Sequence, residues 1–570
     1  AVQFGGLSTT QLNALTSSQL QSLSDTQLKG MTSSQVSGLS TTQIQALTSS
    51  QVQGLTAPQL NGLSSTQVQA LESADLAAIK GTTLGAVGTA QIQSLSSTQV
   101  QNLSESQLKG LKAEQLNALD TADVAAMTTT QISQLKPDQL AKLSTTQLQA
   151  LGTAQVQALS GAQVRSLTSS QVASLSTTQL QALTSSQAAV LSDVQLNALS
   201  TAKIASLETA DVAALSAATV SGLSTTQVQA LGSGQVTALG ANQVRALSAN
   251  QLNALDTADL AAMGTAQIVK LSAEQVGGLS TTQLQALTDN QVSALEGRQV
   301  KGLTTTQMGK LTTSQVQALT ADQFKTLTAA QLNAMTTTQV AAIETADIAA
   351  ISASAAGDLS TQFVAALTST QVQALDKTQL GGMTSKQIQA IETADLATMS
   401  TAQMAQLRAD QVGQLTTSQL NNLTSTQLQS LAGKQLTSLT TAQMNSLTTA
   451  NLALLSSGQV SALSANQLNA LGTSQVAALT STVLSSINDG AFGKLSTTVL
   501  QALTTGQMQN LTDKQLKSLS SNQLNNLESA DLQKLSTDQI ASLSATQVSK
   551  LSTTQLNALT TTQFASLSAI

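Results

Sequence analysis

One octapeptide recurs through the chain without a slip of phase, and this limits the possible folds more than any other property. The first clean copy is Leu7-Ser8-Thr9-Thr10-Gln11-Leu12-Asn13-Ala14. Position 1 of the octad is nearly always Leu, position 2 Ser or Thr, positions 3 and 4 small and polar, position 5 Gln, and position 6 Leu, Val or Ile. Position 7 varies and position 8 is small or Asn. Position 1 falls at residue 7 and every eighth residue after it to Leu567, so (567 − 7)/8 gives 70 complete octads.

Each octad reads as a helix start. Ser or Thr at position 2 suits an N-cap, Gln at position 5 completes a capping box, and the apolar residues at positions 1 and 6 form a hydrophobic staple. Pro137 and Pro58 then fall at N1 and N2, where a missing N–H is harmless. Gly at position 8, as in Gly30, Gly38, Gly54 and Gly62, suits a chain leaving a helix. One continuous helix is excluded, because an apolar spacing averaging four residues winds around the helix instead of facing one core. A strand fits less well, since positions 1 and 6 differ in parity. The expected fold is all-α, a solenoid or superhelix with one short helix per octad, and a β-solenoid is the alternative. Positions 1 and 6, among them Leu7, Leu12, Leu15 and Leu143, should form the core, with positions 3, 4 and 7 exposed. One octad cannot bury enough to order itself, so neighbours must seal it.

A longer period overlies the octad. The stretch at Leu7 is echoed at Leu143, Leu279, Leu415 and Leu551, so each step is (143 − 7)/8 = 17 octads. After a lead-in at 1–6, residues 7–570 read as one array with units 7–142, 143–278, 279–414, 415–550 and a partial 551–570. An octad lacking Gln keeps this step, with Thr83, Thr219, Ala355 and Ala491 at position 5. So do acidic octads with Glu72, Glu208 and Glu344, and with Asp120, Asp256, Glu392 and Glu528, at position 2. A superhelix of 17 octads per turn would stack equivalent octads on one another; tandem duplication without structural meaning is the other reading.

Composition removes several functions. Lys and Arg number 23 against 29 Asp and Glu, and the only aromatics are five Phe, which leaves nucleic-acid binding without a basic patch or a stacking platform. No Cys or His is present, so thiolate and imidazole chemistry is absent, and no Ser stands beside a recognisable base. No catalytic or cofactor-binding residue is expected, no cofactor, and no membrane insertion. The acidic octads are the one candidate site. Glu72/Asp75, Glu208/Asp211 and Glu344/Asp347 place carboxylates at N-cap and N3, which the helix dipole favours on structural grounds alone. The functional alternative is a column of carboxylates on stacked turns holding a divalent cation such as calcium. The start at Ala1 and the stop at Ile570 in mid-octad suggest a processed or excised piece.

The pattern L-[ST]-[ST]-x-Q-[LVI]-x-A, from Leu7 to Ile570, resembles the octapeptide tracts of very large bacterial surface proteins, often labelled adhesin or haem-utilisation proteins. That resemblance implies an exported bacterial product serving as stalk, filament or surface layer. Separately, the apolar faces exposed at the two uncapped ends of the array predict self-association into a filament or tube wall, and a surface or polysaccharide is the further partner expected. The usual protein ligands of haem (His, Tyr, Cys) are missing. The competing class is a binding surface for ice or a polymer, built from regular Ser/Thr arrays.

Overall fold

A computed structural model describes residues 4–567. Among them, after a 3₁₀ turn at Phe4–Gly6, stand 70 α-helices of four to six residues and no strand, which rules out the β-solenoid. The helices follow the octad. In Ser144–Leu151 the N-cap is Ser144, the helix is Thr145–Gln149, and Ser144 Oγ accepts the N–H of Gln147. Pro58 is N2 of Ala57–Gly62 and Pro137 is N1 of Pro137–Leu140. The glycines at position 8 do end helices, but not by the left-handed route: no described residue has positive φ, and Gly30 and Gly38 keep right-handed values. They leave room instead, since a Cβ on Gly38 would stand 2.7 Å from Thr9 Cγ2.

The chain divides into two compact units, Ala1–Leu287 and Thr288–Ile570. Each is a solenoid in which a helix packs on the helix three octads further on. Ser49–Gly54 lies on Ser73–Ala78 in the first unit, and Ala353–Gly357 on Lys377–Gly382 in the second. The closest backbone approaches bracket the length of a coil. Gly85 abuts Gly110 and Gly309 abuts Ala334, the same spacing of 25 residues at which Asn117 Nδ2 donates to Lys142 O. Gly62 abuts Ser33 and Gly382 abuts Ala353, the spacing of 29 residues at which Ser166 Oγ donates to Pro137 O. Midway between them, the N–H of Ser144 donates to Asn117 Oδ1, 27 residues back, and 27/8 is about 3.4 octads per coil.

The superhelical turn is therefore not 17 octads. A 17-octad turn would leave each octad's neighbours far away along the chain, and the staple residues need cover within one small ring. A seventeen-octad unit corresponds to 17 × 8/27, about five coils.

Positions 1 and 6 line the core: Leu143, Leu148, Leu151 and Val156 are buried, as are Leu12 and Leu20. Positions 3, 4 and 7 are exposed along most of the array. Leu7 and Leu15 depart from expectation and are only half-buried, because they belong to the first described coil and are packed from one side. Phe564 in the last coil is 58% exposed for the same reason.

Candidate functional site: a glutamine ladder and its interruptions

The position-5 glutamine does more than close a capping box. Gln179 is buried; its Oε1 accepts the N–H of the N-cap Ser176 at 2.9 Å. Its Nε2 donates to the carbonyls of Leu148, at 2.9 Å, and Leu151, at 2.8 Å, on the preceding coil. Those two carbonyls close a helix and lack an i+4 partner of their own. One amide thus caps the start of its own helix and the end of the helix one coil earlier. Gln43 on Leu12 and Leu15, and Gln411 on Leu380 and Met383, repeat the clamp. Sequence reasoning found the acceptor half because it is local; the donor half spans 28 and 31 residues. The signal that could have exposed it is Gln where Glu would serve a capping box equally well.

The acidic octads interrupt this ladder. Asp has no N–H to donate and is one methylene shorter, so it cannot reach back to the carbonyls. Each Asp turns to the coil before it instead. Asp75 accepts from Ser49 Oγ, Asp123 from Ser97 at 2.7 Å, Asp211 from Ser185 at 3.0 Å, and Asp395 from Ser369 at 2.5 Å. Glu72, Glu208 and Glu344 stand at the N-caps as expected but are exposed and make no side-chain cap bond. Asp347 breaks the rule, because the place that Ser49 takes before Asp75 is held before Asp347 by Ala321, which has no hydroxyl. Asp347 is 4% exposed and its Oδ2 has no hydrogen-bond partner; burial first, and the charge of Glu344 second, push its carboxyl up to about 6. Burial also raises Asp211, against the Ser185 hydrogen bond and with Glu208, and raises Asp531.

The cation column, the alternative to structural capping, needs equivalent carboxylates on successive turns. In the first unit Asp75 and Asp211 are about five coils apart, and the neighbour one coil before each is a serine. Among the described residues no three carboxylates come together in a way that could hold a metal ion.

The octads lacking Gln draw coils together. At Gly81 a Cβ would stand 2.2 Å from Ser106 O, and at Gly110 2.4 Å from Gly81 O, so neither position tolerates a side chain without a shift. A second staple, unforeseen from sequence, is Asn at position 7. Asn333 Nδ2 donates to Asp358 O at 3.0 Å, and its Oδ1 accepts the N–H of Ser360 at 2.6 Å. Ser360 is an N-cap whose own octad carries Phe363 in place of Gln, and Asn469 does the same for Ser496, whose octad carries Val499. Where Asn and Gln coincide they compete for one N–H. Asn253 takes Ser280 N–H and leaves Gln283 Oε1 unpartnered; Asn525 takes Ser552 N–H and leaves Gln555 Oε1 unpartnered.

Tandem octapeptides, one mini-helix each, tied by an amide ladder, define an all-helical repeat solenoid. The family model of the ALTTAQ repeat matches residues 68–105, 105–137, 132–169, 204–241, 252–289, 292–329, 340–377, 388–425, 449–481 and 524–561, well over half of the sequence. The chain belongs to the ALTTAQ repeat family. The six letters fall on positions 8 and 1 to 5 of the octad, as in Ser438–Gln443. A search of curated proteins found no match. Among solved structures 19 chains match. One belongs to the "Homology model of the full-length AP-3 complex in an intermediate open conformation", 10% identical, covering 97% of this chain and 89% of that one at a TM-score of 0.17, a likeness that carries no argument.

Proposed function

We propose that the chain is a structural protein of the bacterial exterior without catalytic activity, forming a filament, tube wall, surface layer or adhesin stalk. One observation carries this reading. Positions 1 and 6 serve the core and positions 2 and 5 serve the clamp in octad after octad, with no inserted loop in which a reactive constellation could be built. The partners this implies are further copies of the chain and a surface or polysaccharide; nucleic acid, cofactors and membrane insertion have no part in it. Among the described residues no helix is long and apolar enough to cross a membrane. Negative-stain microscopy and sedimentation of native, full-length material test the proposal. Fibres or sheets are expected, and a dispersed monomer without fibres would overturn it. A second reading, an ice- or polymer-binding surface, is favoured by the regular exposed Ser and Thr at positions 3 and 4. Thermal hysteresis in dilute solution would select it over the first.

A further inference from the structure

The coil length sorts the surface charges. Each octad advances the chain by 8/27 of a coil, a little under a third of a turn. Counting the 17 octads of a repeat unit from the one that begins at Leu7, octads 3, 6, 7, 10, 13, 14 and 17 fall together in a sector a little over a third of the way round, and the other ten fall outside it. In Ala1–Leu287 that sector holds eight of the ten Lys and Arg, Lys29, Lys109, Arg165 and Arg245 among them, with six Asp and Glu; outside it are two Lys and four exposed carboxylates, the other four aspartates being buried. In Thr288–Ile570 the sector holds eleven of thirteen Lys and Arg with seven carboxylates, and outside it are two Lys and five exposed carboxylates, three further aspartates being buried. Taken by itself, each solenoid unit is thus net positive along one side and net negative along the other. The four basic side chains named above are all exposed.

The negative side has a fixed mark. Octad 15 lies nearly diametrically opposite the middle of the basic sector, and it is acidic in all four complete seventeen-octad units, with exposed N-caps Asp120, Asp256, Glu392 and Glu528. These N-cap carboxylates are not needed for folding, because Ser or Thr fills the same position in most octads. The basic sector and the acidic mark also share one repeat, about five coils.

We infer that the solenoids associate side by side, the basic sector of one copy against octad 15 of a second copy, in a register of about five coils. The occupant is a second copy of this chain, because only a partner with the same repeat meets a carboxylate opposite the basic sector at every step. The contact is heterologous, and with the two faces nearly diametrically opposite it continues from copy to copy where the rotation between copies does not close a ring; opposite charges choose its face and register. This rests on the self-assembling reading above and names the surface that does the assembling.

The test compares the wild-type full chain with Asp120→Ser/Asp256→Ser/Glu392→Ser/Glu528→Ser, which installs the common N-cap residue, and with Lys109→Gln/Arg245→Gln/Lys517→Gln on the opposite side. Sedimentation velocity and negative-stain microscopy are followed from about 0.05 to 0.5 M NaCl, a range over which exposed charges become screened. A circular dichroism melt checks that each variant keeps the wild-type fold. Lateral bundles of wild type are expected at low salt and should weaken at least about tenfold at high salt; either variant should weaken them by a similar factor at low salt, with an unchanged melt. Assemblies indifferent to salt and to both variants would overturn this inference while leaving self-assembly in place. Dispersed monomer at every salt concentration would overturn both.

Discussion

Asp347 shows what a single residue means in a repeat. Its equivalents each lean on a hydroxyl one coil earlier, and Asp347 meets Ala321. Its native carboxyl holds a proton up to about 6, whereas an unfolded Asp releases it at about 4. The native state therefore binds more protons between those values. The stability tied to this group is complete in acid and is lost as pH rises through about 6. Replacing Asp347→Gln should remove that pH dependence and rebuild the clamp toward the carbonyls of Val316 and Leu319, which stand to it as Leu148 and Leu151 stand to Gln179. A gain of about 1–3 kcal/mol at neutral pH is expected, the cost of an unsatisfied buried polar group. It should shrink at pH 4; urea denaturation at both pH values checks it. The asparagine staple gives a paired expectation. Asn333→Ala removes two exposed hydrogen bonds, to Asp358 O and from Ser360 N–H, with Phe363 unable to replace the second, and at about 0.5–1.5 kcal/mol each should cost about 1–3 kcal/mol. Asn253→Ala should cost less than about 1 kcal/mol, because Gln283 Oε1 is free to take Ser280 N–H. Equal losses in denaturant titrations would contradict the competition.

At the scale of the element, the octad is a helix closed at both ends by amides, one its own and one from the next coil. Deleting a whole octad, residues 175–182, leaves every clamp with an equivalent partner and should shift the melting temperature by only a few degrees. Deleting 175–178 turns positions 1 and 6 out of the core for the coils that follow and should open them to proteolysis. Limited proteolysis with circular dichroism distinguishes the two. The local half of this design was readable in the sequence: Ser144 with Gln147 is a capping box, Leu143 and Leu148 a staple, and Pro137 an N1 residue. The coil length was not, because it is set by contacts such as Gln179 to Leu148, and one octad's pattern holds no information about which later octad covers it. The seventeen-octad echo was visible, but its translation into about five coils needed the close approach at Gly85 and Gly110 and the bond between Asn117 and Ser144. The acidic pairs were found at their correct positions. Their division into an exposed Glu and a buried Asp was hidden, because Ser49 and Ser185 come from another coil.

For the whole molecule, packing is carried by amides, hydroxyls and aliphatic side chains, and a sequence without Cys forms no disulfide. Because the buried aspartates, Asp347 apart, are held by hydroxyls of the preceding coil, a chelator should leave the thermal melt unchanged; an EDTA-induced drop of several degrees would restore the cation reading of Glu72, Asp75 and their equivalents. The ladder itself is tested most directly by cross-linking, since the chain has no Cys to interfere. Ser385 Oγ lies 2.9 Å from Asp410 Oδ2, 25 residues on and one coil away. Ser385→Cys/Asp410→Cys should close an intrachain disulfide on mild oxidation, read by mass spectrometry. Ser385→Cys/Ser521→Cys, seventeen octads apart, should not. Closure of the seventeen-octad pair with the one-coil pair left open would contradict the coil of about 3.4 octads and return the chain to a seventeen-octad turn.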